Sequence, residues 1–394
     1  MEIQGNVNNK LGKSFPEFLV YIFYLVISIC LTYFQIFGEI GSDILSHIQR
    51  IDPIMKGQYF MPHPLFHYLT KALSYLYNDY PRDAFLLLLL ANFATLFILN
   101  KILNILLPAN YRGLASLVFS VCLSVLSSIW IPWFNKSFYL GQWSPNIWHS
   151  PTFSLVKPFM LLSFFYIVSY IQERQAINHV KQLLASLFLA LSALAKPSFM
   201  FSFAPALVVY LLFFKRSDCK TYIRVFLIFL PAFLIIFYQF IKTYLGINSS
   251  GTLDMKDQII FTNFGVLKLY TPSIIISLIL AIGFPLSILM LDFRSALKDD
   301  LLIMSFLNTI FGYLQAAFLA EKFKFDGAAF TFGYSLSLFL LLVFSLVFFI
   351  RWMDRQTIIS WKVKCKAGFC ALMFSLHLIS GIIYLINNFY QRSF

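Results

Sequence analysis

A carboxylate and an imidazole four residues apart, Asp43 and His47, stand where the first long apolar run of the chain gives way to Gly38-Glu39-Ile40-Gly41-Ser42-Asp43-Ile44-Leu45-Ser46-His47. On a helix, positions i and i+4 share one face. A general base and an imidazole that orients it or relays its proton need that arrangement, aimed at a substrate held at a membrane boundary. A structural reading competes: Ser42 and Asp43 are good helix N-caps, and His47 then simply meets water.

Three further clusters carry chemistry-bearing residues. In Pro62-His63-Pro64-Leu65-Phe66-His67, His63 and His67 have the spacing of a metal pair. No Glu lies between them and Pro64 takes His63 out of any regular helix, so substrate contact is expected rather than ligation. The stretch from Trp143 to Thr152 holds Trp148 and His149 and is followed by Lys157-Pro158. Tryptophan beside an apolar run commonly anchors a membrane interface, but a lysine one turn inside such a run either snorkels or binds an anion. Lys196, in Ala195-Lys196-Pro197-Ser198, repeats that lysine–proline pairing. Two such point charges suit a phosphate or diphosphate headgroup. Glu321 and Asp326, in Ala320-Glu321-Lys322-Phe323-Lys324-Phe325-Asp326, would orient a sugar or form a solvated charged turn.

The elements that position these residues follow from composition. Of 394 residues, 59% are hydrophobic and 12% charged, and the mean hydropathy is +0.76. Soluble domains carry about 25% charged residues, so an ordinary soluble protein is excluded. Apolar runs recur at about 18–37, 84–106, 114–133, 153–172, 183–195, 199–214, 225–241, 272–291, 301–320, 327–350 and 367–386. They predict an all-α polytopic membrane protein of about eleven transmembrane helices in a single domain over residues 1–394. Segment 38–83 reads as a long first external loop with interfacial helices, and 183–214 as a short helix pair around Lys196-Pro197. At ~20 Å of helix, 183–195 cannot cross ~30 Å of hydrocarbon unaided.

The net charge of +13 resides mainly in short loops, where Lys and Arg fix orientation; it does not indicate nucleic acid. An N-terminus in the cytoplasm places 17 of the 30 basic residues there and puts the four clusters on the external face of a plasma (inner) membrane. The five cysteines show neither a disulfide framework nor a zinc spacing. No cofactor is indicated; a divalent metal is possible but has no evident site.

Many short-looped spans, an acid in the first external loop at Asp43, interfacial helices in that loop and the Lys196-Pro197 turn together resemble the GT-C superfamily of integral-membrane glycosyltransferases, in particular its bacterial polyprenyl-phosphate-dependent members. That resemblance implies inverting transfer of a sugar from a polyprenyl-phosphate-sugar lipid to a glycan or lipid acceptor on the external face. Asp43 would be the base, with His47 orienting it. Lys157 and Lys196 would bind the donor phosphate, and His63, His67, Trp148, His149 and Glu321 would contact substrate. Asp43, Lys157 and Lys196 are expected to line one outward-facing cavity with His47 and His67. Two features depart from the family: the acid is single where many members have two, and no soluble acceptor-binding domain follows the last span.

The alternative is a transporter or flippase of lipid-linked saccharide, which concentrates ionisable groups at mid-membrane; here they gather at one face. A polysaccharide polymerase would lean on external arginines, and the expected external set holds only Arg50, Arg82 and Arg392.

Overall fold

The computed structural model describes residues 2–38, 42–136, 138, 140–172, 178–215, 218–245, 258–322, 328–356 and 360–390; Asp326 and Arg392 lie outside them. The chain begins with α1 (Glu2–Phe37), then α2 (Asp43–Gln49), α3 (Ile51–Met55) and α4 (Leu65–Tyr77). Next come α5 (Tyr80–Leu106), α6 (Leu114–Val125), α7 (Pro151–Gln172), α8 (His179–Ala195) and α9 (Ser198–Val209), which a π-turn extends to Lys215. After α10 (Cys219–Tyr244) a short strand β1 (Ile259–Phe261) precedes α11 (Gly265–Tyr270), α12 (Ile274–Leu291) and α13 (Phe293–Ala296). The chain finishes with α14 (Asp300–Phe318), β2 (Leu319–Glu321), α15 (Ala328–Asp354) and α16 (Trp361–Tyr390).

Nine helices among the described residues are long and apolar enough to cross a membrane, and α6 and α8 are shorter apolar helices. The protein is a polytopic helical membrane protein. It is not purely helical: β1 and β2 pair antiparallel, Ile259 opposite Glu321. The segment around 38–83 contains the three short helices α2–α4.

The most buried element is α15, with 94% of its apolar window enclosed. It packs against α9, α12 and α14. By contrast α10, with 22% enclosed, presents Phe226, Phe233 and Phe237 outward, as a lipid-facing helix does.

The expected helix over 114–133 is where sequence and structure part. α6 stops at Val125, ~18 Å of helix, and residues 126–131 continue without helical structure. Irregular backbone is tolerated at membrane depth only where protein covers it and satisfies its polar groups. Both conditions hold here. Ser127 N donates to His377 O (3.2 Å), Ile129 N to Leu280 O (3.0 Å) and Trp130 N to Ser380 Oγ (3.0 Å). α12 kinks at Ile282, where φ and ψ leave the helical range. Phe284 N donates to His377 Nε2 (3.3 Å), while His377 Nδ1 donates to Ser127 O (2.7 Å). Gly381 is required at this crossing, because a Cβ there would lie 2.1 Å from Val125 O.

Candidate functional site

The site grows from a strap of irregular chain. Residues 141–150 are buried without exception, and buried backbone must find hydrogen-bond partners. Small polar side chains provide them. Ser128 Oγ donates to Trp143 O (2.8 Å), and Ser127 Oγ to Ser144 Oγ (3.0 Å). Asn146 Nδ2 donates to Leu123 O (3.0 Å) and Leu126 O (2.7 Å), satisfying carbonyls at the end of α6. Trp143 adopts a left-handed φ of 58°, a conformation uncommon outside glycine.

The strap ends at His149, whose carbonyl accepts from Asp43 N and from Ser42 Oγ, each at 3.3 Å. Ser42 also caps α2, accepting from Ile44 N at 3.1 Å. The cap that the sequence reading offered as an alternative to catalysis therefore exists, and it leaves the Asp43 side chain exposed.

Lys196 comes from a separate stretch. It closes α8, is buried, and its Nζ donates to Thr152 Oγ1 at 3.0 Å while lying 3.7 Å from the centroid of the Phe332 ring. Burial pushes its ammonium down to about 8, against the upward pull of the Asp43 and Glu321 carboxylates. Glu321, at the end of β2, is buried and accepts from Tyr244 Oη at 2.9 Å. Burial drives His149 down to about 4; Asp43 opposes that shift and Lys196 adds to it. Four ionisable groups from four separate stretches, Asp43, His149, Lys196 and Glu321, thus share one electrostatic environment. At neutral pH, His149 in it is uncharged and Lys196 is mostly charged.

The remaining candidates form two other groups. His47 is turned toward α4: its Nδ1 lies 3.1 Å from His67 Nε2, and its ring centroid is 6.4 Å from that of His63. His67 is fully buried, and burial with the nearby Arg50 charge holds it down at about 4. Asp43 and His47, one turn apart on α2, differ in exposure: Asp43 is open to the surface and His47 is packed against His67. His149 lies in the field of Asp43. Among the described residues no group of three or more His, Cys, Asp or Glu side chains is arranged to hold a metal ion.

Lys157 lies five residues beyond Thr152 on α7, ~7.5 Å along the helix. Its Nζ donates to Asn146 Oδ1, with the rings of Phe339 (4.9 Å) and Phe153 (5.1 Å) around it. It pins Asn146, which in turn holds the end of α6. Trp148 packs into a cluster with Leu31, Val125, Tyr384 and Leu385.

Two residues escape sequence reasoning. Thr152, which accepts a hydrogen bond from Lys196 Nζ, reads in sequence as only one hydroxyl in a polar stretch. Asp83 reads as an ordinary first-turn acid, yet it is fully buried with neither carboxylate oxygen bonded among the described residues. No known family model matches the chain, and no curated protein matches it.

Proposed function

We propose that this protein is an inverting membrane glycosyltransferase that moves a sugar from a polyprenyl-phosphate donor to a hydroxyl acceptor, with the end of the bundle bearing α2–α4 as its active face, external to a plasma (inner) membrane. One observation carries the reading: the buried Lys196 feels the charges of the exposed Asp43 and the buried Glu321, which come from stretches far apart in sequence.

The chemistry follows from that pairing. Asp43 accepts the proton of the acceptor hydroxyl as its oxygen bonds to the anomeric carbon. The bond from that carbon to the phosphate oxygen breaks on the opposite side, and its electron pair leaves with polyprenyl phosphate. The Lys196 ammonium stabilises the added negative charge in a site poor in water, where such pairing is strongest. The His149 carbonyl holds the start of α2 in place by accepting from Asp43 N. The buried aliphatic and aromatic surface near Lys196 suits a prenyl tail, each buried methylene contributing about 0.8 kcal/mol.

The test is transfer of radiolabelled sugar from polyprenyl-phosphate-sugar donors by purified protein, wild type beside Asp43→Asn. Label should reach an acceptor with wild type alone. Turnover retained in Asp43→Asn removes Asp43 from the mechanism. Donor movement across proteoliposomes without any transfer makes the protein a flippase.

A further inference from the structure

Two contacts hold the Lys196 ammonium, and neither neutralises it. Its Nζ donates to Thr152 Oγ1 at 3.0 Å and stands 3.7 Å from the centroid of the Phe332 ring. Among the described residues this is the closest approach of a cation to a ring; the next, Lys157 on Phe339, is 4.9 Å. Lys196 forms no ion pair among the described residues. Asp43 of α2 and Glu321 of β2 act on it through space, and His149 of the strap lies in the same field.

Backbone packing places the ring there. Gly333, next to Phe332 on α15, has no room for a side chain: a Cβ would lie 2.8 Å from Ser198 O, two residues after Lys196. The start of α9 and α15 therefore meet through their backbones at this level. On the other side, the fully buried Phe153 packs its ring 5.8 Å from that of Phe332. Phe153 adjoins Thr152, so the first turn of α7 supplies both the hydroxyl that binds the ammonium and the ring that backs Phe332.

The consequence concerns charge. Burial disfavours the protonated form of a lysine. A hydroxyl offsets that with one hydrogen bond. An aromatic face adds the negative side of its quadrupole, whose pull on a cation grows as water is removed. An aliphatic side chain at 332 would bury Lys196 as well and supply none of that attraction.

We propose that Phe332 and Thr152 are positioning residues that hold Lys196 in place as an ammonium for one negatively charged oxygen of a phosphodiester. Thr152 sets direction, because a hydrogen bond is directional; Phe332 stabilises the charge over a broad face. The identity of the ligand rests on the donor proposed above.

The experiment is a calorimetric titration of the full chain in neutral detergent with dihexyl phosphate, a diester whose single charge stays constant across the series. Affinity is followed from about pH 6 to about pH 10. In wild type it should fall as pH passes about 8, where Lys196 loses its proton. In Phe332→Leu the fall should come about one pH unit lower, so affinity at pH 8 drops about fivefold while the two proteins converge at low pH. Phe332→Tyr keeps the ring face and should keep the wild-type midpoint. Phe332→Met, which also lacks a ring, gives the same test should the leucine variant not fold; melting temperatures verify folding. Thr152→Val should weaken binding at every pH, and Thr152→Ser should restore it.

A folded Phe332→Leu with the wild-type midpoint overturns the role of the ring and leaves Lys196 a phosphate site. Equal affinity in folded Thr152→Val does the same for the hydroxyl. A wild type that binds no dihexyl phosphate, or binds it no better than Lys196→Met, overturns both the positioning pair and the proposed donor. The expected shift in a protein that transfers no sugar keeps the pair and sinks the transferase.

Discussion

Lysines close both ends of the α9 segment and are employed differently. Lys215, at the end of the π-turn, pairs with Asp300 at 2.7 Å, and the same carboxylate accepts from Gln172 Nε2 at 3.1 Å. Beside it Asp299 caps α14 and meets Arg351 at 3.2 Å. Each of these charges ties one helix to another. Lys196, at the other end, is more deeply buried, yet its hydrogen-bond partner is a neutral hydroxyl and its carboxylates act only through space. An ammonium has three donors. One bonded to Thr152 keeps capacity for an anion, whereas one clamped in an ion pair has little. The first end of the bundle spends its charge on assembly; the second keeps charge in reserve, as a binding site requires.

The largest expected effect separates the two lysines. Lys196→Met should lower transfer by about 10²-fold or more, the cost of losing a preorganised charge beside a developing negative one. Lys215→Met should lower the melting temperature and leave transfer within about twofold of wild type, because its pair holds helices and meets no substrate. Equal losses of transfer in both variants would erase the contrast.

Asn146→Leu comes next. It removes the amide that satisfies two buried carbonyls at the end of α6 and the acceptor for Lys157, so unfolding should become easier by about 3 kcal/mol. The measurement is thermal or denaturant unfolding in detergent. A stability equal to wild type would mean that the strap does not depend on this amide.

A pH series sharpens the account of Lys196. Its amine is held down at about 8 from an ordinary 10.5 by burial, so binding of a phosphate-bearing donor should decline as pH rises past about 8. Stability should move the other way. A lysine whose folded value is depressed binds fewer protons folded than unfolded, so the stability it contributes is present above 10.5 and lost as pH falls through about 8. The stability difference between wild type and Lys196→Met, followed from pH 7 to 10, should therefore shift in favour of wild type while wild-type transfer falls. Parallel changes would contradict a buried, titrating Lys196.

The smallest effect belongs to a surface pair on the α2–α4 end. Arg82 and Asp79 meet at 3.0 Å, with the Arg82 side chain 74% exposed. Arg82→Gln should change stability by less than about 0.5 kcal/mol; a larger loss would show that this end also uses charge for assembly.

Sequence reading located the apolar helices well and their partners poorly. The length of an apolar run and the cap at Ser42 depend on residues within a turn or two of each other, so both were legible. α6 was misjudged because Leu126 to Ile131 is as apolar as a helix. Only the hydrogen bonds offered by α12 and α16, some 150 to 250 residues away in sequence, make an extended path affordable there. Spacing sets the angle between Asp43 and His47 around a helix but not what packs against each of them.

The sequence by itself determined that this chain lives in a membrane and roughly where its helices lie. Tertiary structure decided the rest. Lys157 and Lys196 look alike in sequence, each beside a proline at the edge of an apolar run. Folding gives one to Asn146 and a ring of aromatics, and the other to Thr152 in view of two carboxylates. Hydrophobicity is summed over neighbours along the chain, whereas the field at a buried charge is summed over neighbours in space, and only the folded chain specifies those.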